Sequence, residues 1–309
     1  MESKNNWKAW LYLAPTIILL AVFTFYPIIN TIVVSFMSNY DYVLDTFDGF
    51  TFDNYIKILS PTGTFNQEVM QNALKNTLLL TFVTVPVSII LSLAIAIGLN
   101  SIKRLKKVFQ TIFFMPYVTN AIAIGMVFSI VFDTQYGVFN AILGTAGYPW
   151  ITMNVATQTP VNYWSAFFAI CFYIVWHSLP YKILIFLGGL QNIDKQYYDA
   201  AKVDGAGRFK TVMKVTVPLL SPQILYIMIT SFIGAFKEYN SVIGLFGSTG
   251  GSFDISSGGE NMKTIVFFIY EQIAANQVQY ASAAAVILFV IILIFTGIQF
   301  QVSKRRVHY

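Results

Sequence analysis

A chain of 309 residues that is 56% hydrophobic, only 11% charged and +0.63 in mean hydropathy cannot hide its apolar surface inside soluble domains of that size. Lipid is therefore the solvent for most of it. The net charge of +5 calls for no nucleic-acid partner, because the placement of the cations along the chain already accounts for them.

Crossing roughly 30 Å of hydrocarbon at about 1.5 Å per residue takes about 20 apolar residues. Six runs qualify, at about 10–36, 76–99, 111–132, 164–188, 217–237 and 281–302. Each is predicted to be a helix, since lipid offers no partners for open peptide groups. The first run follows Lys4 and Lys8 as a signal peptide would, but it is too long and ends at Tyr26-Pro27 and Asn30 without a small-residue exit, so it reads as a retained anchor. The expected division is 1–75, a tail, first span and external loop, and 76–309, the core transmembrane domain. Trp7, Trp10 and Trp164 read as interfacial anchors.

With the amino terminus inside, the cytoplasmic segments hold Lys4, Lys8, Lys103, Arg104, Lys106, Lys107, Lys195, Lys202, Arg208, Lys210, Lys214, Lys304, Arg305 and Arg306, which is fourteen of the nineteen cations. Lys182 falls at the inner end of the fourth span, and most Asp and Glu lie outside. This bias predicts both termini in the cytoplasm. Cys171, the single cysteine, sits inside the fourth span and supports neither a disulfide nor a metal cluster. No catalytic or metal-ligating constellation is visible.

The external segments near 38–75, 133–163 and 238–280 are rich in Asn, Asp, Gly, Thr and aromatics. Gly244 to Ser252 and the 256–259 run read as flexible loop, and no Lys-Ser or Lys-Thr follows these glycines to make a phosphate loop. Of the inner loops, 100–110 is short and basic, whereas 190–217 is patterned. Asp194 is a candidate N-cap, 195–204 a helix, and Gly205-Ala206-Gly207 a corner that suits left-handed backbone. A second short helix follows, with Phe209, Val212, Met213 and Thr216 on one face and Arg208, Lys210 and Lys214 off it. Pro218 and Pro222 then open the fifth span, where a missing N–H does least harm. On physics alone this segment is either an amphipathic helix lying on anionic lipid or a docking element for another protein.

Its wording favours docking. Asp199-Ala200-Ala201, three residues, Gly205, nine residues and Val215-Thr216-Val217-Pro218 resemble the Glu-Ala-Ala, Gly, Ile-x-Leu-Pro signature of permease subunits of binding-protein-dependent ABC importers, with Asp204-Gly205-Ala206 intact. The departures are conservative, and Asp199 is one methylene shorter than the usual Glu. Leu13-Ala14-Pro15, Phe25-Tyr26-Pro27, Phe113-Phe114-Met115-Pro116, Gly137-Val138-Phe139-Asn140, Phe232 to Lys237 and Tyr280 to Ala283 extend the likeness along nearly the whole chain. It points to the carbohydrate-uptake branch, on the side of the maltose and glycerol-phosphate type of first permease.

The resemblance implies an all-α membrane protein of six transmembrane helices, a type I importer permease fold with both termini inside and a cytoplasmic coupling helix at 195–216. It implies a bacterial cytoplasmic membrane, a second homologous permease, two ATPase subunits that carry the ATP and Mg, an extracytoplasmic solute-binding protein and a sugar substrate. The chain itself would bind no cofactor. Asp199 would pair with a basic ATPase residue, Phe209, Val212 and Met213 would fill an apolar socket, and Gly205 would let two short helices meet tightly.

A sugar pathway needs aromatic faces and hydrogen-bonding groups turned into a cavity near mid-membrane. The fourth span offers Trp176, His177, Ser178 and Tyr181, with Pro180 expected to bend it, and the third offers Asn120. In the maltose-type relatives, the positions equivalent to Ser178, Tyr181, Ser231, Ala235 and Glu238 contact sugar. The structural readings of the same residues are interhelical hydrogen bonding for His177 and Asn120 and an interfacial pair with Lys237 for Glu238. External cations are few, which weighs against a highly anionic ligand.

An ion-coupled secondary transporter or channel is the competing class, but it would need intramembrane carboxylates, and every Asp and Glu falls in a loop or at a span end. An intramembrane Ser-His protease would need a Gly-x-Ser-Gly at a helix start, which is missing.

Overall fold

The computed structural model describes residues 6–60, 65, 72–102, 106–251 and 261–303. Lys4, Glu68, Lys103, Arg104, Asp254, Glu260, Lys304, Arg305, Arg306 and the 256–259 run lie outside that set. The chain forms two compact units, residues 1–70 with 268–290 and residues 71–267 with 291–309.

In the first unit, α1 (Asn6–Leu20), a π-helical turn at Ala21–Phe25 and α2 (Tyr26–Ser35) make one long apolar helix. Only 6% of its most apolar stretch is buried within the chain, so its surface is left for lipid or another subunit. The external segment after it is partly folded. β1 (Met37–Ser38) pairs antiparallel with β2 (Gly49–Phe50), and α3 (Asp53–Leu59) is tied back by the Asn54 amide, which donates to the Ser35 and Met37 carbonyls at 2.9 and 2.8 Å.

The second unit is organised on two long spans, α4 (Leu74–Ser101) and α8 (Tyr163–Asn192). α4 buries Thr77, Thr81, Thr84, Ser88 and Ser92, a polar stripe at helical spacing. Small hydroxyl side chains let helices approach closely in lipid; Thr84, Ser88 and Ser92 return their protons to carbonyls of α4 itself, and Thr77 to that of Ala73 just before it. At one end Ala96 and Leu99 meet Ile183, Phe186, Leu187 and Leu190 of α8. At the other, the Asn76 amide donates to the carbonyls of Asn261 and Lys263 at 2.7 and 2.9 Å while its oxygen accepts from the Tyr163 hydroxyl at 2.8 Å. α8 runs through Pro180 as one continuous helix.

Two expected spans are not straight. The run 111–132 is divided into α5 (Lys106–Val118) and α6 (Ala121–Val131), which meet at 105°. The break falls at Thr119-Asn120, and Asn120 caps α6 by accepting from the backbone N–H of Ile122 and Ala123. Likewise the fifth span turns by 70° after Leu220, beyond which α12 (Ser221–Phe236) begins with Pro222 in its first turn. Hydropathy registers apolar length and is blind to such bends.

The external loops also hold more structure than their composition suggests. α7 (Val138–Leu143) lies in one, and α13 (Asn240–Phe246) in another. Gly244 is therefore helical, not loop. It packs on Gly125 of α6 so closely that a Cβ on Gly125 would stand 2.8 Å from the Gly244 Cα. A small residue on each helix is what permits that approach. α14 (Ile265–Ala274) and α15 (Val278–Ser303) complete the described helices after residue 251.

Between α8 and α12 lies the patterned segment. It consists of α9 (Lys195–Val203), α10 (Arg208–Thr211), a π-turn at Val212–Thr216 and α11 (Val217–Leu219).

Candidate functional site

A cavity of about 290 Å³ opens within the second unit among α4, α5, α8 and α12. α8 contributes His177, Ser178, Tyr181 and Lys182, α12 contributes Thr230, Ser231, Gly234 and Ala235, and Glu238 follows at the end of α12. His177 and Tyr181 share a face because they are four residues apart. The Tyr181 ring stacks on Tyr117 of α5 at 5.6 Å between centroids and 17° between planes, and its hydroxyl meets that of Tyr226 at 3.0 Å. This leaves an aromatic wall beside hydroxyl groups, the combination that receives a sugar's apolar face and its rim of hydroxyls. His177 Nε2 has no hydrogen-bond partner among the described residues.

Six of the expected pathway residues, His177, Ser178, Tyr181, Ser231, Ala235 and Glu238, thus line one cavity. Trp176 does not. It turns to the other side of α8 and packs on Phe128 at 5.1 Å, in a cluster with Phe132, Phe139 and Phe172. Asn120 is also away from the cavity, used as the cap of α6. Glu238 forms no ion pair with Lys237 among the described residues; its carboxylate accepts the Ser241 backbone N–H at 2.9 Å and caps α13, while its carbonyl accepts from Thr264 at 2.6 Å. Tyr117, Ser88 and Lys182 are among the lining residues that the sequence did not single out for the pathway. The polar stripe of α4 was the available signal for Ser88. Lys182, counted above as an inner-end charge, is 95% buried, and its ammonium donates to Ser88 of α4 and to Ser178 one turn back on α8.

The second feature is the surface presented by α9 to α11. Asp194 caps α9 by accepting the Gln196 N–H at 3.0 Å. α9 ends in a Schellman closure, with Ala206 N–H to Ala201 O at 2.9 Å and Gly205 N–H to Lys202 O at 3.0 Å, and Gly205 takes φ +69°. Asp199, Ala200, Asp204 and Gly205 are exposed, whereas Ala201 is buried. Asp199 pairs with Lys202 at 3.2 Å, a solvated contact that a stronger partner can displace. The expected apolar face divides. Thr216 is buried and donates to the Tyr198 hydroxyl, Val212 is half-buried, and Phe209 and Met213 are 80% and 52% exposed. The switch from α to π winding at Val212 breaks the periodicity on which that face was drawn. Tyr197 and Val203, not singled out by spacing, join Phe209 and Met213 as exposed apolar groups on this segment. Large apolar side chains held out among Arg208, Lys210 and Lys214 mark a contact surface.

Residues 85–308 match the model of the family described as binding-protein-dependent transport system inner membrane component. The chain belongs to that family. It is 31% identical to the arabinooligosaccharides transport system permease protein of Bacillus subtilis (strain 168), over 95% of this chain and 88% of that protein. It is 30% identical to the lactose transport system permease protein of Rhizobium radiobacter, over 97% and 95% of the two chains. Identity to the sn-glycerol-3-phosphate transport system permease protein of Agrobacterium fabrum is 27%, over 99% and 97%. In structure it is similar to a chain of a bacterial ABC transporter involved in the import of the acidic polysaccharide alginate, with a TM-score of 0.77, 98% and 96% coverage and 19% identity, which speaks for the fold alone.

This inner membrane component is thus a multi-pass helical permease of type I importer fold, and the family description makes a binding protein its partner. Among the described residues four helices are long and apolar enough to cross a membrane, and the count reaches six if each bent pair is one span. Ion-coupled transport is not favoured for such a chain.

Proposed function

We propose that the chain is one permease subunit of an ATP-driven oligosaccharide importer of the bacterial cytoplasmic membrane. A second permease completes the pathway, two cytoplasmic ATPases supply the work and carry the ATP and Mg, and an extracytoplasmic binding protein delivers the sugar. Relatives named for arabinooligosaccharides and lactose support the substrate class. At about 290 Å³ the cavity lies at the lower edge of the roughly 300–1,000 Å³ usual for small-molecule sites, which suits a site that a second subunit finishes.

One observation carries the mechanism: the exposed segment from α9 to α11 is the direct covalent link between α8 and α12, the two helices that contribute most of the cavity wall. A rigid-body shift imposed on that segment must displace both walls together. In this reading Asp199 exchanges Lys202 for a basic ATPase residue, and Phe209 and Met213 enter an apolar socket beside it, with Val212 at its margin. His177, Ser178, Tyr181, Ser231, Ala235 and Glu238 line the route of the sugar.

The test is Asp199→Lys in the reconstituted complex. Binding-protein-stimulated ATP hydrolysis should fall to the unstimulated rate, while insertion and yield of the permease stay unchanged. Full stimulation in the variant would refute the coupling role.

A further inference from the structure

Lys182 poses a problem that the importer reading leaves open. An ammonium buried within a span is costly even on insertion scales, so such groups are paired or serve a pathway. Among the described residues no carboxylate pairs with it. Glu238, the other charged group of the cavity lining, gives its carboxylate to the Ser241 N–H. The acceptors that Lys182 does have are neutral and are oriented toward it. Ser88 donates its own proton to the Val85 carbonyl at 2.9 Å, and Ser178 donates to the Val175 carbonyl at 2.9 Å. Both hydroxyl oxygens are thereby held with their lone pairs toward Nζ. An ammonium has three N–H donors, and two are used.

If the role of Lys182 were only to tie α4 to α8, a neutral amide or hydroxyl would serve at less cost. A fixed, desolvated cation with a donor to spare, on the wall of a transport cavity, calls for an anion that is present only when the cavity is occupied. We propose that Lys182 is a specificity-determining residue that binds a carboxylate of the transported sugar, so that the natural cargo is a uronate-bearing oligosaccharide. Ser88 and Ser178 act as positioning residues that aim Nζ. One cation answers to one carboxylate, which agrees with the scarcity of external cations noted above. The relatives are named for neutral and for phosphorylated cargoes alike, so family membership does not decide the point.

This inference rests on the importer reading, and its test is made on the permease without the binding protein, whose own selectivity would otherwise intrude. The purified complex of both permeases and the ATPases is titrated with a pool of uronate oligosaccharides from pectin and glucuronoxylan. A second titration uses the same pool after chemical reduction of its carboxyls to neutral sugars, and thermal unfolding is the readout. The half-saturating concentration should be at least tenfold lower for the acidic pool. Lys182→Gln should erase that difference, and Lys182→Arg should keep most of it. The wild-type comparison stands even if Lys182→Gln fails to assemble.

Equal response to the two pools, or a Lys182→Gln variant that lowers ligand-free stability yet preserves the preference, would overturn the assignment and leave Lys182 as a structural tie. Stabilisation by the neutral pool alone would overturn it while sparing the importer reading. Loss of that reading would show separately, as ATP hydrolysis indifferent to Asp199→Lys.

Discussion

Replacing Gly205 tests whether the corner between α9 and α10 is itself the working part of the coupling surface. The residue sits at φ +69°, and a Cβ built on it meets nothing within 4 Å, so an alanine there meets no steric obstacle and acts through backbone conformation alone. Holding a non-glycine residue in the left-handed region costs about 1–2 kcal/mol, partly offset by about 0.4–1 kcal/mol from the stiffer unfolded chain. The net of about 1 kcal/mol lowers the ratio of bent to open form about fivefold. Two residues on, Gly207 has φ −66° and ψ 161°, ordinary extended backbone, and also has open space where a Cβ would go. It is therefore an internal control. In a titration of the permease pair with its ATPases, Gly205→Ala should weaken apparent affinity by up to about fivefold. Gly205→Asn should do less harm, since Asn tolerates this conformation, and Gly207→Ala should be neutral. The Schellman bonds of Ala206 and Gly205 would be the first to open. Should Gly207→Ala do as much damage as Gly205→Ala, or Asn prove no better than Ala, the backbone argument is wrong.

Two further outcomes follow from the packing. Gly125→Ala or Gly244→Ala drives a Cβ to within 2.8 or 3.0 Å of the facing backbone, which cannot yield as a side chain would, and each should destabilise the purified protein by about 1–3 kcal/mol, read as a lowered Tm. Asn76→Ala removes three hydrogen bonds and strands buried carbonyls of Asn261 and Lys263, so a loss of about 3 kcal/mol and enhanced proteolysis around residues 261–265 are expected, with Asn76→Asp, which cannot donate, close behind.

What could be read from residues in order was whatever depends on local chemistry or on length. The Asp194 cap, the need for left-handed backbone at Gly205 and Pro222 in the first turn of α12 are properties of a few neighbouring residues, and each is found where expected, whereas two of the six apolar runs prove to be bent. Ser178, Tyr181 and Ser231 are reached through the resemblance to the maltose-type permeases, and the fold sets them on one cavity wall. Only the fold could decide what depends on a partner helix. Asn120 is a cap and Trp176 a packing group because of where α5 breaks and how α8 is rotated, and hydropathy holds neither fact. Lys182 shows the distinction best. In sequence it is one more positive charge near the inside of a membrane, and only burial against a serine ninety-four positions away sets it in the cavity wall, where the proposed carboxylate contact would be made.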